Sequence, residues 1–190
     1  SGDANITLQN AFTNNGAVHS SDNLTFIAPA ITNSNTGGFS ALNALDLQAT
    51  NTDLINSGAL YAGQTLKASA TGNLENLAGT GTIDSDGTIE LSSGATFKNT
   101  STINAQSDIA IVALTFRNEV PGGGAQTYTS TATDTMTMDG SFGWPYDATA
   151  YFTTTTISGN TYNTPMPGVR PQIIPGCDMT ISNFTSAYNN

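Results

Sequence analysis

Charge is what this chain has least of. Only 9% of its 190 residues are Asp, Glu, Lys or Arg, against roughly 25% in ordinary soluble domains. Four residues are cationic, and the net charge is −10. Recognition of nucleic acid or an anionic membrane needs a basic cluster, so neither partner is expected. Cysteine is limited to Cys177 and histidine to His19. One cysteine excludes an internal disulfide, and a reactive thiol would want a cationic neighbour that the local sequence does not supply. Long apolar runs are missing too: the longest, "IAIVAL", has six residues, far below the roughly 18 of a membrane helix. The opening "SGDANITLQN" has neither a basic nor an apolar segment, so no signal peptide is expected and the chain reads as an internal piece of something longer.

What fills the space is Asn, Thr, Ser and Gly, arranged with a period. An apolar–x–Asn triplet recurs as "FTN" (12–14), "ITN" (31–33), "LIN" (54–56), "LEN" (74–76), "FKN" (97–99) and "FRN" (116–118). The asparagines are 19, 23, 20, 23 and 19 residues apart. After each Asn come Gly16, Gly37, Gly58, Gly81 or Ser101, then an apolar residue (Val18, Phe39, Leu60, Ile83, Ile103), then a small one (Ser20, Ala41, Ala62, Ser85, Ala105). Four residues on, an apolar–x–apolar pair opens: Leu24/Phe26, Leu45/Leu47, Leu66/Ala68, Ile89/Leu91, Ile109/Ile111. Length varies only between Asn and Gly or before the next triplet.

Period-2 alternation in runs of about five residues describes short strands with one buried face. A unit of about 20 residues with three such strands cannot bury its apolar face alone. Stacking each unit on the next does so, and pairs the backbone groups coil to coil. The expected fold is all-β: a right-handed parallel β-helix, or β-solenoid, over residues 1–118. Glycine at the corner is expected to supply positive φ, and the asparagines to tolerate the left-handed region. Asn14, Asn33, Asn56, Asn76, Asn99 and Asn118 are expected to form an amide ladder along the axis.

The pattern in "LINSGALYAGQTLKASA" and "FKNTSTINAQSDIAIVA" resembles the filamentous haemagglutinin repeat of bacterial two-partner-secretion exoproteins, a class that includes contact-dependent growth inhibition effectors. The resemblance covers residues 4 to about 118. It implies a β-helical stalk, export through an outer-membrane translocator, and display at the cell surface. Counterparts of that family's secretion-domain and toxin motifs are not found in the chain.

After Asn118 the character changes. Residues 119–190 hold nine of the 15 aromatics and six of the seven prolines. "EVPGGGAQTYT" marks a boundary or a corner excursion. "TYTSTATDTMTMDGSF" and "ATAYFTTTTISGNTY" read as antiparallel strands. "NTPMPGVRPQIIPG" is too rich in proline for a central strand and reads as an extended loop, whereas 177–185 resembles a return to the solenoid. The section 119–190 is thus read as a non-repetitive β/loop part that includes an insertion. Trp144, Tyr146, Tyr151, Phe152 and Tyr162 are its candidate binding residues, because aromatics in irregular loops are common partner anchors. Their alternative role is to cap the open end of the solenoid.

Signs of catalysis are missing. The sequence has no phosphate loop, zinc-ligand spacing or nucleophile elbow. Asp84 and Asp86 in "GTIDSDGT" are read as solvated turn residues and His19 as exposed; no catalytic residue, metal or cofactor is expected. Four Asn-x-Ser/Thr sequons (Asn5, Asn23, Asn99, Asn183) are what chance allows at this composition. The function expected is non-enzymatic: stalk, with a section that contacts a cell-surface protein or glycan receptor, in adhesion or contact-dependent inhibition outside the cell. The alternatives are an autotransporter passenger and a polysaccharide-degrading β-helix enzyme, which would need carboxylate pairs across the scissile bond.

Overall fold

The computed structural model describes residues 2–78, 80–119, 134–137, 151–154 and 171–189. The chain divides into two compact units: Ser1–Gly124 together with Met166–Asn190, and Ala125–Pro165.

The first unit is a parallel β-solenoid whose coil visits three walls in turn. The first wall stacks Ala4–Thr7, Leu24–Ala28, Ala44–Ala49, Thr65–Ala70, Thr88–Ser93, Ile109–Val112 and Met179–Ser182. The second stacks Phe12–Asn14, Ile31–Asn33, Leu54–Asn56, Leu74–Asn76, Thr96–Asn99, Thr115–Asn118 and Ser186–Asn189. The third stacks Ala17–Ser20, Gly38–Ala41, Ala59–Ala62, Thr82–Ser85, Thr102–Ala105 and Gln172–Ile174. All of these pairings are parallel. At about 4.8 Å per strand, a wall of seven rises on the order of 30 Å.

Alternation along each strand builds the core. Leu45 and Leu47, Leu66 and Ala68, and Ile89 and Leu91 point inward from the first wall and are buried; Phe39, Leu60, Ile83 and Ile103 meet them from the third. The small residues Ala41, Ala62, Ser85 and Ala105 are buried where the third wall turns toward the first. In-register partners Leu24, Leu45, Leu66, Ile89 and Ile109 recur every 20 to 23 residues, and the next partner, Met179, follows 70 residues later. The register therefore passes across the interruption without a slip.

The glycines behave differently from the expectation. Among the described residues only Gly2 and Asn183 have positive φ, so neither the corner glycines nor the ladder asparagines use the left-handed region. A Cβ on Gly58 would collide with the carbonyl oxygens of Gly37 and Ser34, and one on Gly37 with Asn14 O and Asn33 Oδ1. Glycine is needed because successive corners stack carbonyl against Cα. Gly16, in the first coil, has nothing within 4 Å of such a Cβ, since no corner of the described residues lies beneath it.

Two further readings change. "QII" within the proline-rich stretch is a strand, Gln172–Ile174, and it ends the third wall, the edge position in which flanking prolines cost no ladder bond. Asp84 is a half-buried residue of strand Thr82–Ser85 rather than of a turn; Asp86 is the exposed corner residue.

The second unit contains an antiparallel pair, Asp134–Thr137 with Tyr151–Thr154, whose backbone register pairs Met136 with Phe152 and Thr137 with Tyr151.

Candidate functional site

The corner between the second and third walls is where the chain departs from its template. Six asparagines end the second-wall strands there in one column. Asn14 Nδ2 donates to Asn33 Oδ1, and the same bond repeats to Asn56, Asn76, Asn99 and Asn118 at 2.8–2.9 Å. Each amide has a second proton, and four of the donors spend it on a carbonyl further along the axis: Gly38 O, Ala59 O, Thr82 O and Thr102 O, at 3.1–3.2 Å. Asn33, Asn56, Asn76 and Asn99 have no exposed surface. A buried carboxamide is tolerated only when its donors and acceptor are met, and the coil spacing meets them.

Links from the ladder to the third wall alternate in length. They run two residues (15–16), four (34–37), two (57–58), five (77–81), two (100–101) and then 53 (119–171). Long and short links share the corner because coils rise only about 4.8 Å, whereas a layer of folded chain needs about twice that. Thr80 shows the packing: its Oγ1 lies 2.9 Å from Ser57 O in the short link and 2.8 Å from Asn35 O in the long link beyond it. On the other side Ala78 N donates to Thr100 Oγ1 at 2.8 Å, and Thr100 is buried.

Both roots of the 53-residue link follow the two-residue template. Glu119 N donates to Asn99 O at 2.9 Å, as Thr100 N does to Asn76 O at 2.8 Å, and Gln172 N donates to Ser101 O at 2.9 Å. The Glu119 side chain is only 9% exposed and is held by two cations. Lys98 Nζ stands 3.2 Å from Oε1; Arg117 brings Nη2 to 2.7 Å and Nε to 3.1 Å of Oε2. Lys98 and Arg117 are in-register neighbours on the second wall, so the carboxylate also relieves their mutual repulsion.

Of the expected binding residues, Tyr151 and Phe152 lie on the strand Tyr151–Thr154, while Trp144, Tyr146 and Tyr162 fall outside the described residues. Glu119, Lys98, Arg117 and Thr80 were not singled out by the sequence. The one available signal was that two of four cations stand at the same triplet position, in "FKN" and "FRN".

Elsewhere polar groups pair locally. On the outer face of the third wall His19 Nδ1 is 2.9 Å from Ser40 Oγ, and Tyr61 donates its hydroxyl to Asp86 at 2.6 Å, which raises the tyrosine pKa. Burial raises the Asp84 pKa, the Asp86 charge adds to it, and hydrogen bonds with Thr82 and Asn104 oppose it. Cys177 is exposed on the last coil and His19 on the first third-wall strand, so thiol and imidazole stand at opposite ends of the stack. Among the described residues no three His, Cys, Asp or Glu side chains gather as metal ligands do.

Comparison with protein-family models, with curated proteins and with solved structures finds no match to the chain.

Proposed function

We propose that this chain is a rod segment of a secreted, filamentous bacterial surface exoprotein of the haemagglutinin-repeat kind, with a non-catalytic recognition section inserted in one coil. One observation carries the reading: the coil register runs unbroken from Ile109 to Met179 while some 50 extra residues leave and return at a single corner. A scaffold that keeps its register across such an insertion supports a section whose composition is free to serve another purpose. Loops held by a rigid frame are where binding function concentrates. That section is also the aromatic-rich one, holding Trp144, Tyr146, Tyr151, Phe152 and Tyr162. Its partner in this reading is a cell-surface protein or glycan, and the parent chain reaches the outside through an outer-membrane translocator. The solenoid coils serve as spacer, with stacked hydroxyl and amide side chains providing an outer surface of low charge.

Binding of the purified 190-residue chain to whole bacterial and host cells tests this, beside a Trp144→Ala/Tyr146→Ala/Tyr151→Ala variant checked by circular dichroism. Saturable binding by the parent, lost in the folded variant, is the expected result. Equal binding by both, or by neither, would remove the aromatic section from recognition.

A further inference from the structure

We propose that Asn183 is an attachment site for an N-linked sugar. The chain has four Asn-x-Ser/Thr sequons, the acceptor pattern for N-glycosylation, and the fold treats them unequally. Asn99 is a fully buried rung of the amide ladder. Asn23 is committed on both sides: its Nδ2 donates to Asp3 Oδ1 at 2.7 Å and its Oδ1 accepts from Ala44 N at 3.1 Å. Asn5 is exposed but sits mid-strand in Ala4–Thr7, its backbone held extended by pairing with Leu24–Ala28. Asn183 alone joins a turn position to an exposed side chain with no hydrogen bond to a described residue. It lies between strands Met179–Ser182 and Ser186–Asn189, with φ of 63° and an exposed side chain that donates to no described residue. Thr185, the hydroxyl residue of the sequon, is exposed as well.

A second observation gives the sugar a place to lie. Phe184 is 47% exposed and Leu114 51%. They stand on adjacent coils at the same corner, where Thr185 N donates to Leu114 O at 2.7 Å. Earlier coils put Leu8–Ala11, Pro29–Ala30, Thr50–Asp53, Thr71–Asn73 and Gly94–Ala95 at this corner, and Leu8 packs against the core, so among the described residues the exposed large apolar side chains of this corner are those of the two coils next to Asn183. A pyranose on Asn183 can set the C–H face of its ring against the Phe184 ring and cover this pair. The donor is a sugar activated as a diphosphate ester, either nucleotide-linked or lipid-linked. Asn183 Nδ2 bonds to the anomeric carbon. The bond from that carbon to the diphosphate oxygen breaks, its electron pair leaves on the phosphate, and the amide proton passes to a base of the transferase.

The test uses the folded 190-residue chain and two transferases, each first shown to modify the free peptide 181–187. One is a soluble N-glucosyltransferase with UDP-glucose; the other is a membrane oligosaccharyltransferase with a lipid-linked glycan. Cleavage before aspartate separates the sequons onto fragments 3–21, 22–45, 86–107 and 178–190, which mass spectrometry reads individually. The expected result is addition on 178–190 by at least one transferase, no addition on 22–45 or 86–107, and loss of the product in Asn183→Gln but not in Thr185→Ser. A single hexose identifies the nucleotide-linked route, a larger glycan the lipid-linked one. Slower chymotryptic cleavage after Phe184 in the modified protein is expected from the covering contact. An unmodified 178–190 with both transferases, or modification of 22–45 and 86–107 to the same extent, overturns the assignment.

Discussion

Asn56 is committed on three sides: it accepts from Asn33 Nδ2 at 2.8 Å and donates to Asn76 Oδ1 at 2.8 Å and Thr82 O at 3.1 Å. Asn56→Ala leaves a buried donor on Asn33 and a buried acceptor on Asn76 without their ladder partners. The desolvation cost of such groups is about 2–3 kcal/mol, which in a chain of this size lowers the melting temperature by roughly 4–12 °C. Asn15→Ala, at the exposed neighbour of the first rung, leaves it unchanged. A thermal melt in which Asn56→Ala matches the parent would mean that the column is a by-product of packing. Asp84 is a residue whose contribution depends on pH. Burial raises its pKa in the folded chain, so the folded state holds the proton more tightly than the unfolded state does. The resulting stability is present below the ordinary carboxylate value of 3.8 and is lost as the pH rises through the raised value. Asp84→Asn is therefore expected to melt with the parent near pH 3 and above it near pH 7. The opposite order at neutral pH would show that the bonds with Thr82 and Asn104 outweigh burial.

At the scale of the element, the corner after the asparagine column adds an ion-paired carboxylate to the ladder. Lys98 and Arg117 have side chains only 31% and 32% exposed, so removing their shared partner leaves two partly desolvated like charges side by side. Glu119→Ala is expected to cost about 2 kcal/mol, read as a lower midpoint in urea, whereas Glu90→Ala at the exposed Lys67 pair leaves the midpoint in place. Equal small effects would mean that Glu119 is screened as an ordinary surface carboxylate. How far these elements can be read from the amino-acid order depends on what drives each. The second-wall strands and their ladder were legible because apolar–x–Asn repeats at nearly constant spacing and burial enforces it. The last third-wall strand was not legible: Pro171 and Pro175 flank Gln172–Ile174, and only the coil beneath shows that it is an edge. The corner glycines were placed rightly but for another physical reason, since carbonyl approach between coils cannot be seen within one coil. The Glu119 root was hidden because one of its cations, Lys98, belongs to the coil before, 21 residues back, and only the stacking brings it beside Arg117, two residues back.

Considered as a whole molecule, the solenoid is a frame into which the section 120–170 is spliced at one place, and the splice is reversible on paper. In the coil below, Thr100–Ser101 alone connect Asn99 to Thr102. By register Gln172 stands over Thr102 and Asn118 over Asn99, so Glu119 and Pro171 are the counterparts of Thr100 and Ser101. Joining Glu119 directly to Pro171 therefore restores a two-residue link with both root hydrogen bonds in place. Proline suits the second position, because the residue before it is biased to the extended conformation that a link between strands uses. The shortened chain is expected to keep a β-type circular dichroism spectrum and to melt no lower than the parent, since no core residue of the three walls is removed. Closing the link also takes a long loop-closure term out of the folded coil, which by the logarithmic dependence on length is worth about 1–3 kcal/mol and favours the shorter chain. The same deletion is expected to abolish binding to target cells. A shortened chain that stays folded and still binds would move recognition to the outer faces of the coils. One that unfolds would show that residues 120–170 contribute to the solenoid itself, and the frame and its insertion would then be a single cooperative unit.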